Sequence, residues 1–134
     1  MSCDILLLPG ISQDLANQLH AIGLNNSDKL LTAVSTPATR AELAHRLQVS
    51  PGDLLALGRT AELIRIHGIG SLYAEILAYA GIRSISGLAT CDPEQLQRTL
   101  KALAPDGVVF RMPGPREVQR WVEEAQSMGS ILQA

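Results

Sequence analysis

Apolar residues recur along this chain at the three- and four-residue spacing of helices, without the strict alternation a half-buried strand requires. Leu15, Leu19 and Ile22 set the first run, and Gly23 stands where that helix should stop. A short helix is predicted from Ser27 to Val34, and Pro37 to Leu47 carries Leu43, Ala44 and Leu47 on one face. The next helix opens with Ser50 as N-cap, Pro51 in the first turn and Asp53 placed for the helix dipole. It continues through Leu54, Leu57, Ala61 and Ile64. Tyr73, Ile76, Leu77 and Ala80 give a further run ended by Gly81, followed by a short helix from Ser84 to Thr90. Asp92-Pro93-Glu94-Gln95 is a cap signature for a helix through Leu96, Leu100 and Leu103. Ala104 to Pro115 reads as a loop rich in Pro and Gly. The last helix shows Val118, Trp121, Val122, Ala125, Met128 and Leu132, with Arg120 and Glu124 spaced to pair across one turn. The expected fold class is all-α.

Shifting the chain by 58 residues brings two segments into register. Leu8-Pro9-Gly10-Ile11 falls on Ile66-His67-Gly68-Ile69, Ala16 on Ala74, Leu19 on Leu77, Gly23-Leu24 on Gly81-Ile82 and Leu30 on Leu88. Glycines and apolar positions match while polar ones drift, the signature of a repeated backbone shape. The chain is therefore read as a single domain over 1–134, with pseudo-repeats at about 5–47 and 63–104. A helical linker at about 48–62 joins them, and a C-terminal helix at about 115–133 completes the chain.

Composition narrows the function classes. With 46% hydrophobic residues in 134, a core is affordable without metal or disulfide staples. The four aromatics are Tyr73, Tyr79, Phe110 and Trp121, too few for a stacking-based single-strand binder. Net charge is -2, so a general polyanion binder is not the default. Charge is unevenly spread: residues 1–58 sum to -2, 59–120 to +2 and 121–134 to -2. Cys3 and Cys91 form no disulfide framework and point to a reducing, cytoplasmic setting. No apolar run approaches the roughly 18 residues of a membrane span, and the N-terminus lacks the basic region of a signal peptide.

Ile66-His67-Gly68-Ile69-Gly70-Ser71-Leu72-Tyr73-Ala74 resembles the hairpin of the helix-hairpin-helix family. Glycines there permit a turn that side chains disfavour, and Ala74 lets two helices approach closely. Ala80 to Ile85, Leu88-Ala89 and Asp92 to Leu96 look like the second half of such domains. The first copy keeps Gly10 and Ala16 but has Pro9 before the glycine and Ser12 for the second glycine, so it reads as a degenerate hairpin. The whole layout resembles a helix-hairpin-helix-related domain family of unknown function, familiar from cyanobacterial genomes. The resemblance implies tandem helix-hairpin-helix units and a binding role, with no activity to transfer.

Candidate chemistry is sparse. The Gly68 and Gly70 amides, entering a helix N-terminus, are candidate phosphate contacts, supported by Arg59, Arg65 and Arg83. Against this, Ser71-Leu72-Tyr73 supplies no basic residue after the glycines, and tight helix–helix closure is the favoured account of them. Arg40 to Leu54 has helix-turn-helix spacing, but the second helix would open on Pro51-Gly52-Asp53-Leu54, an acid and aliphatics where base edges need donors. His20, His45 and His67 are isolated, so no metal site is expected. No catalytic motif or cofactor loop is present, and no enzyme is expected. Cys91, before the Asp92-Pro93 helix start, could have its thiol pKa lowered by the dipole, although a buried filler is the favoured role. Trp121 and Met128 could form a partner-binding stripe, although core packing is the simpler role. The expected function is a non-enzymatic protein-interaction or assembly adaptor, with a protein partner favoured. Weak, sequence-independent binding to duplex DNA through the second hairpin is the alternative.

Overall fold

Short polar side chains placed one residue before the apolar run decide where five of the helices begin. In the structure, a computed structural model describing residues 2–103 and 112–133, Ser12, Asn26, Thr36, Ser50 and Ser84 each accept a backbone N–H three residues on. Such caps contribute about 1 kcal/mol apiece. They open α1 (Gln13–Ala21), α2 (Ser27–Ala33), α3 (Pro37–Leu47), α4 (Pro51–Ile64) and α6 (Ile85–Ala89). Between and after these lie α5 (Ser71–Tyr79), α7 (Pro93–Leu103) and α8 (Pro115–Met128), and a short 3-10 turn, Ile5–Leu7, precedes them all. The described residues form no strand beyond an isolated bridge between Asp4 and Asn26. The protein is all-α.

The 58-residue repeat is written into the backbone. Gly10 and Gly68 both take positive φ, +85° and +91°, in turns closed by Ile11 N–H to Leu8 O and Ile69 N–H to Ile66 O. The helix ends match as well: Leu24 N–H donates to Leu19 O and Ile82 N–H to Leu77 O, both at 2.9 Å. Asn26 and Ser84 cap the following helices at equivalent positions. Gly70, by contrast, has φ -96°, an extended conformation open to any residue. Its counterpart Ser12 therefore costs the first turn nothing and caps α1 instead, so the first copy is not degenerate in shape.

The correspondence runs further than the 58-residue register. α3 and α7 both have 11 residues, and α4 and α8 both have 14 and open on a proline. α4 packs on α2 and α3, as α8 packs on α6 and α7. The segment expected as a linker, 48–62, is thus a three-residue connection and most of α4, which stands to the first half as α8 stands to the second. The offset for this last pair is 64, not 58. Of the loop expected from Ala104 to Pro115, residues 104–111 lie outside the described residues and Pro115 already opens α8.

The C-terminal helix is shorter than the expected 115–133. It stops at Met128, Gly129 turns the chain at φ +65°, and residues 130–133 run back across the first half as a strap. Two buried charged groups fasten it. Glu62, 2% exposed, accepts Ser130 Oγ–H and Ile131 N–H, both at 2.7 Å. Arg40, 5% exposed, donates to Val34 O at 3.0 Å and Gln133 O at 2.7 Å, and Gln133 N–H reaches Ser35 O. Leu132, expected on the helix face, instead packs against Gly58. No helix among the described residues is long and apolar enough to cross a membrane.

Candidate functional site

The two halves differ most at their glycine turns. At the second turn, α8 lies against the glycine: a Cβ on Gly68 would come within 3.1 Å of Trp121 Nε1 and 4.0 Å of Glu117 Oε2. The Trp121 ring sits 5.2 Å from that of Tyr73, tilted at 55°. Glu124, one turn further along α8, accepts the His67 N–H at 3.1 Å. That carboxylate serves the turn rather than the ion pair with Arg120 expected from spacing; Arg98–Glu94 is the ion pair seen among the described residues. Trp121 is 1% exposed and its Nε1 has no hydrogen-bond partner. It therefore belongs to the core and offers nothing to a partner, and Met128 is half-buried on the same core.

At the first turn the same place is empty space. A Cβ on Gly10 would meet nothing within 4 Å. A cavity of about 700 Å³ opens there, bounded by Pro9, Gly10, Ser12 and Leu15 of the turn. Asp53, Ala56, Leu57, Arg59, Thr60 and Leu63 of α4 form a second wall, and Ala74, Glu75, Ala78, Tyr79 and Arg83, along α5 and just after it, a third. That volume lies within the range of ligand and side-chain pockets.

Aligning the halves explains the cavity residue by residue. Tyr73 and Trp121 correspond to Leu15 and Leu57, Glu117 to Asp53, and Glu124 to Thr60. An aromatic pair becomes two leucines, and a turn-bonding carboxylate becomes a shorter hydroxyl that donates to its own helix at Ala56 O. Pro9 in the place of His67 removes the N–H that Glu124 takes in the second half. The first turn thus has the backbone of the second without its cover.

The sequence-derived site residues fall into two places. Arg59 and Arg83 line the cavity, on whose rim Tyr79 is 66% exposed. Their guanidinium groups form no ion pair with Asp53 or Glu75. Gly68 and Gly70 are not part of the cavity, and Arg65 is the half-buried C-cap of α4. Within the helix-turn-helix spacing, Arg40 is buried and bonded to backbone carbonyls, so its guanidinium offers no donor to a base edge. Cys91 donates to Gly87 O at 3.3 Å, and burial pushes its thiol pKa up, opposite to the dipole effect considered from sequence. No cluster of three potential metal ligands occurs among the described residues.

An all-helical chain built of two like halves, one covered and one open, matches a known family over residues 9–128. The chain belongs to that family, described as Domain of unknown function (DUF4332). A 60-residue segment is 45% identical to the poly(3-hydroxyalkanoate) polymerase subunit PhaC of Haloferax mediterranei. That segment is 45% of this chain and 10% of that protein. No solved structure matches.

Proposed function

We propose that this chain is a non-enzymatic module of helix-hairpin-helix type that acts as a protein-interaction or assembly adaptor, docking through the cavity at the Gly10 turn. One observation carries the reading. The second half fills the equivalent space with its own aromatic pair and carboxylates, whereas the first half leaves it open, apolar and rimmed by charges that form no ion pair among the described residues. An open apolar pocket flanked by charge suits the anchoring side chain of a protein partner. Two free, half-buried cysteines suit work in a reducing, cytoplasmic setting. The test is to fill the cavity from within. Leu57→Trp with Thr60→Glu gives the first half two of the four residues that cover the second turn, the ring of Trp121 and the carboxylate of Glu124. Partners recovered from the native host by the wild type and lost by this variant would identify the docking face. Equal recovery by a folded variant would sink the reading.

Weak binding to the DNA backbone is the second reading, favoured by the positive-φ turn at Gly68 leading into α5. The carboxylates of Glu117 and Glu124 at that turn weigh against it, because they oppose an incoming phosphate. If it holds, duplex retardation should be sequence-indifferent, fall off with salt at a log–log slope of about -2 to -3, and vanish in Arg65→Glu/Arg83→Glu. No retardation at low salt would remove it.

A further inference from the structure

We propose that the occupant of the Gly10-turn cavity is a second copy of this chain, with Tyr79 of each copy entering the cavity of the other about a twofold axis. This rests on reading the cavity as a protein-docking face and names its partner.

The second half supplies the template for an occupant. There the corresponding space receives an aromatic ring from a helix, Trp121, with a carboxylate four residues before it, Glu117. The chain displays that pattern once more, outward. Tyr79 stands on α5 with its ring exposed and Glu75 one turn before it. Leu72, seven residues before Tyr79 and 44% exposed, lies on the same helix face and extends the apolar contact. Knob and hole share one face, the condition for a closed isologous pair in which each contact occurs twice.

Charge fits the same arrangement. The rim carries Arg59 and Arg83 against Asp53 and Glu75, two of each sign, and none of the four is ion-paired among the described residues. A face with balanced, exposed charges complements itself: when Tyr79 inserts, Glu75 of one copy is carried toward the arginines of the other. A single-sign rim would have called for a different partner.

The experiment is sedimentation equilibrium of the full chain from about 5 to about 500 µM, a range that brackets a micromolar association. The wild type should pass from 14.3 kDa to twice that mass. Tyr79→Ala should weaken pairing by about 30-fold or more while leaving the circular dichroism melt unchanged. Arg59→Glu/Arg83→Glu and Asp53→Arg/Glu75→Arg should each stay monomeric alone and pair when mixed, since opposite rims then meet. A wild type monomeric throughout the range overturns the proposal. So does a dimer indifferent to Tyr79→Ala and to both charge variants. A synthetic peptide of residues 115–128, carrying Glu117, Trp121 and Glu124, separates the two levels of the argument. If it binds a monomeric wild type and not the Leu57→Trp/Thr60→Glu variant, self-pairing falls and docking stands. If neither peptide nor copy binds, both fall.

Discussion

The Gly10 and Gly68 turns share φ, hydrogen bonding and the helix that follows, yet one is sealed and the other open. Identical backbone does not fix the surface above it. What differs is four side chains, Tyr73, Trp121, Glu117 and Glu124 in the second half against Leu15, Leu57, Asp53 and Thr60 in the first, together with Pro9 in the place of His67. The same turn geometry occurs twice, and side-chain size decides which turn is covered.

The largest expected effect tests the seal. Trp121→Ala should destabilise by about 4 kcal/mol, since a buried ring leaves a cavity lined by Tyr73 and Gly68. Its counterpart Leu57→Ala should cost about half as much, because the Leu57 side chain already borders open space. Urea unfolding of the two variants would break the comparison if the costs proved equal. Next comes the pair of turn glycines. Gly68→Val should cost about 3 kcal/mol and Gly10→Val about 1–2, the first adding a collision with Trp121 to the backbone strain common to both. An unchanged melting temperature for Gly68→Val would remove the turn assignment altogether.

These costs rest on positions that sequence reading reached unevenly. The turn glycines, the Ser50 cap and most helix ends are legible, because a turn needing positive φ and a helix needing an N-terminal acceptor each demand particular residues. The match between α4 and α8 was not, because it lies at an offset of 64 while the turns repeat at 58. Its signal was present as Asp53, Leu57 and Thr60 against Glu117, Trp121 and Glu124, at identical internal spacing. Ser12 looked like decay of a glycine pattern, although its position is extended and favours a capping hydroxyl. The cavity itself escaped notice because it is made by what Leu15 and Leu57 lack. Arg59 and Arg83, which the sequence offers as candidate phosphate contacts, both line this cavity.

Smaller effects sharpen the contrast. Leu57→Trp/Thr60→Glu should raise stability by about 1 kcal/mol by burying new apolar area, measured by thermal melts, while abolishing docking. Glu124→Ala should cost about 1 kcal/mol by taking the acceptor from His67 N–H, whereas Thr60→Ala should be near neutral. The smallest effect is alkaline. Burial raises the thiol pKa of both Cys3 and Cys91 above the ordinary 9.0, so above that pH the unfolded chain sheds these protons before the folded one. Stability should therefore be unaffected below pH 9.0 and sag slightly above it, and Cys3→Ala/Cys91→Ala should flatten the sag.

The strap gives the molecule a mechanical polarity. Residues 130–133 carry the chain about 13 Å back from the end of α8, to where Gln133 is held by Ser35 and Arg40. Any polypeptide continuing from residue 133 would leave beside α2 and α3, not along the axis of α8. Tension applied there would first load Arg40 and Glu62, whose charge-assisted hydrogen bonds contribute about 1.5–3 kcal/mol each, rather than peel α8 from the covered turn. A cargo hung on that end would thus be coupled to the half that carries the open cavity, and its pull would be felt at the wall formed by α4.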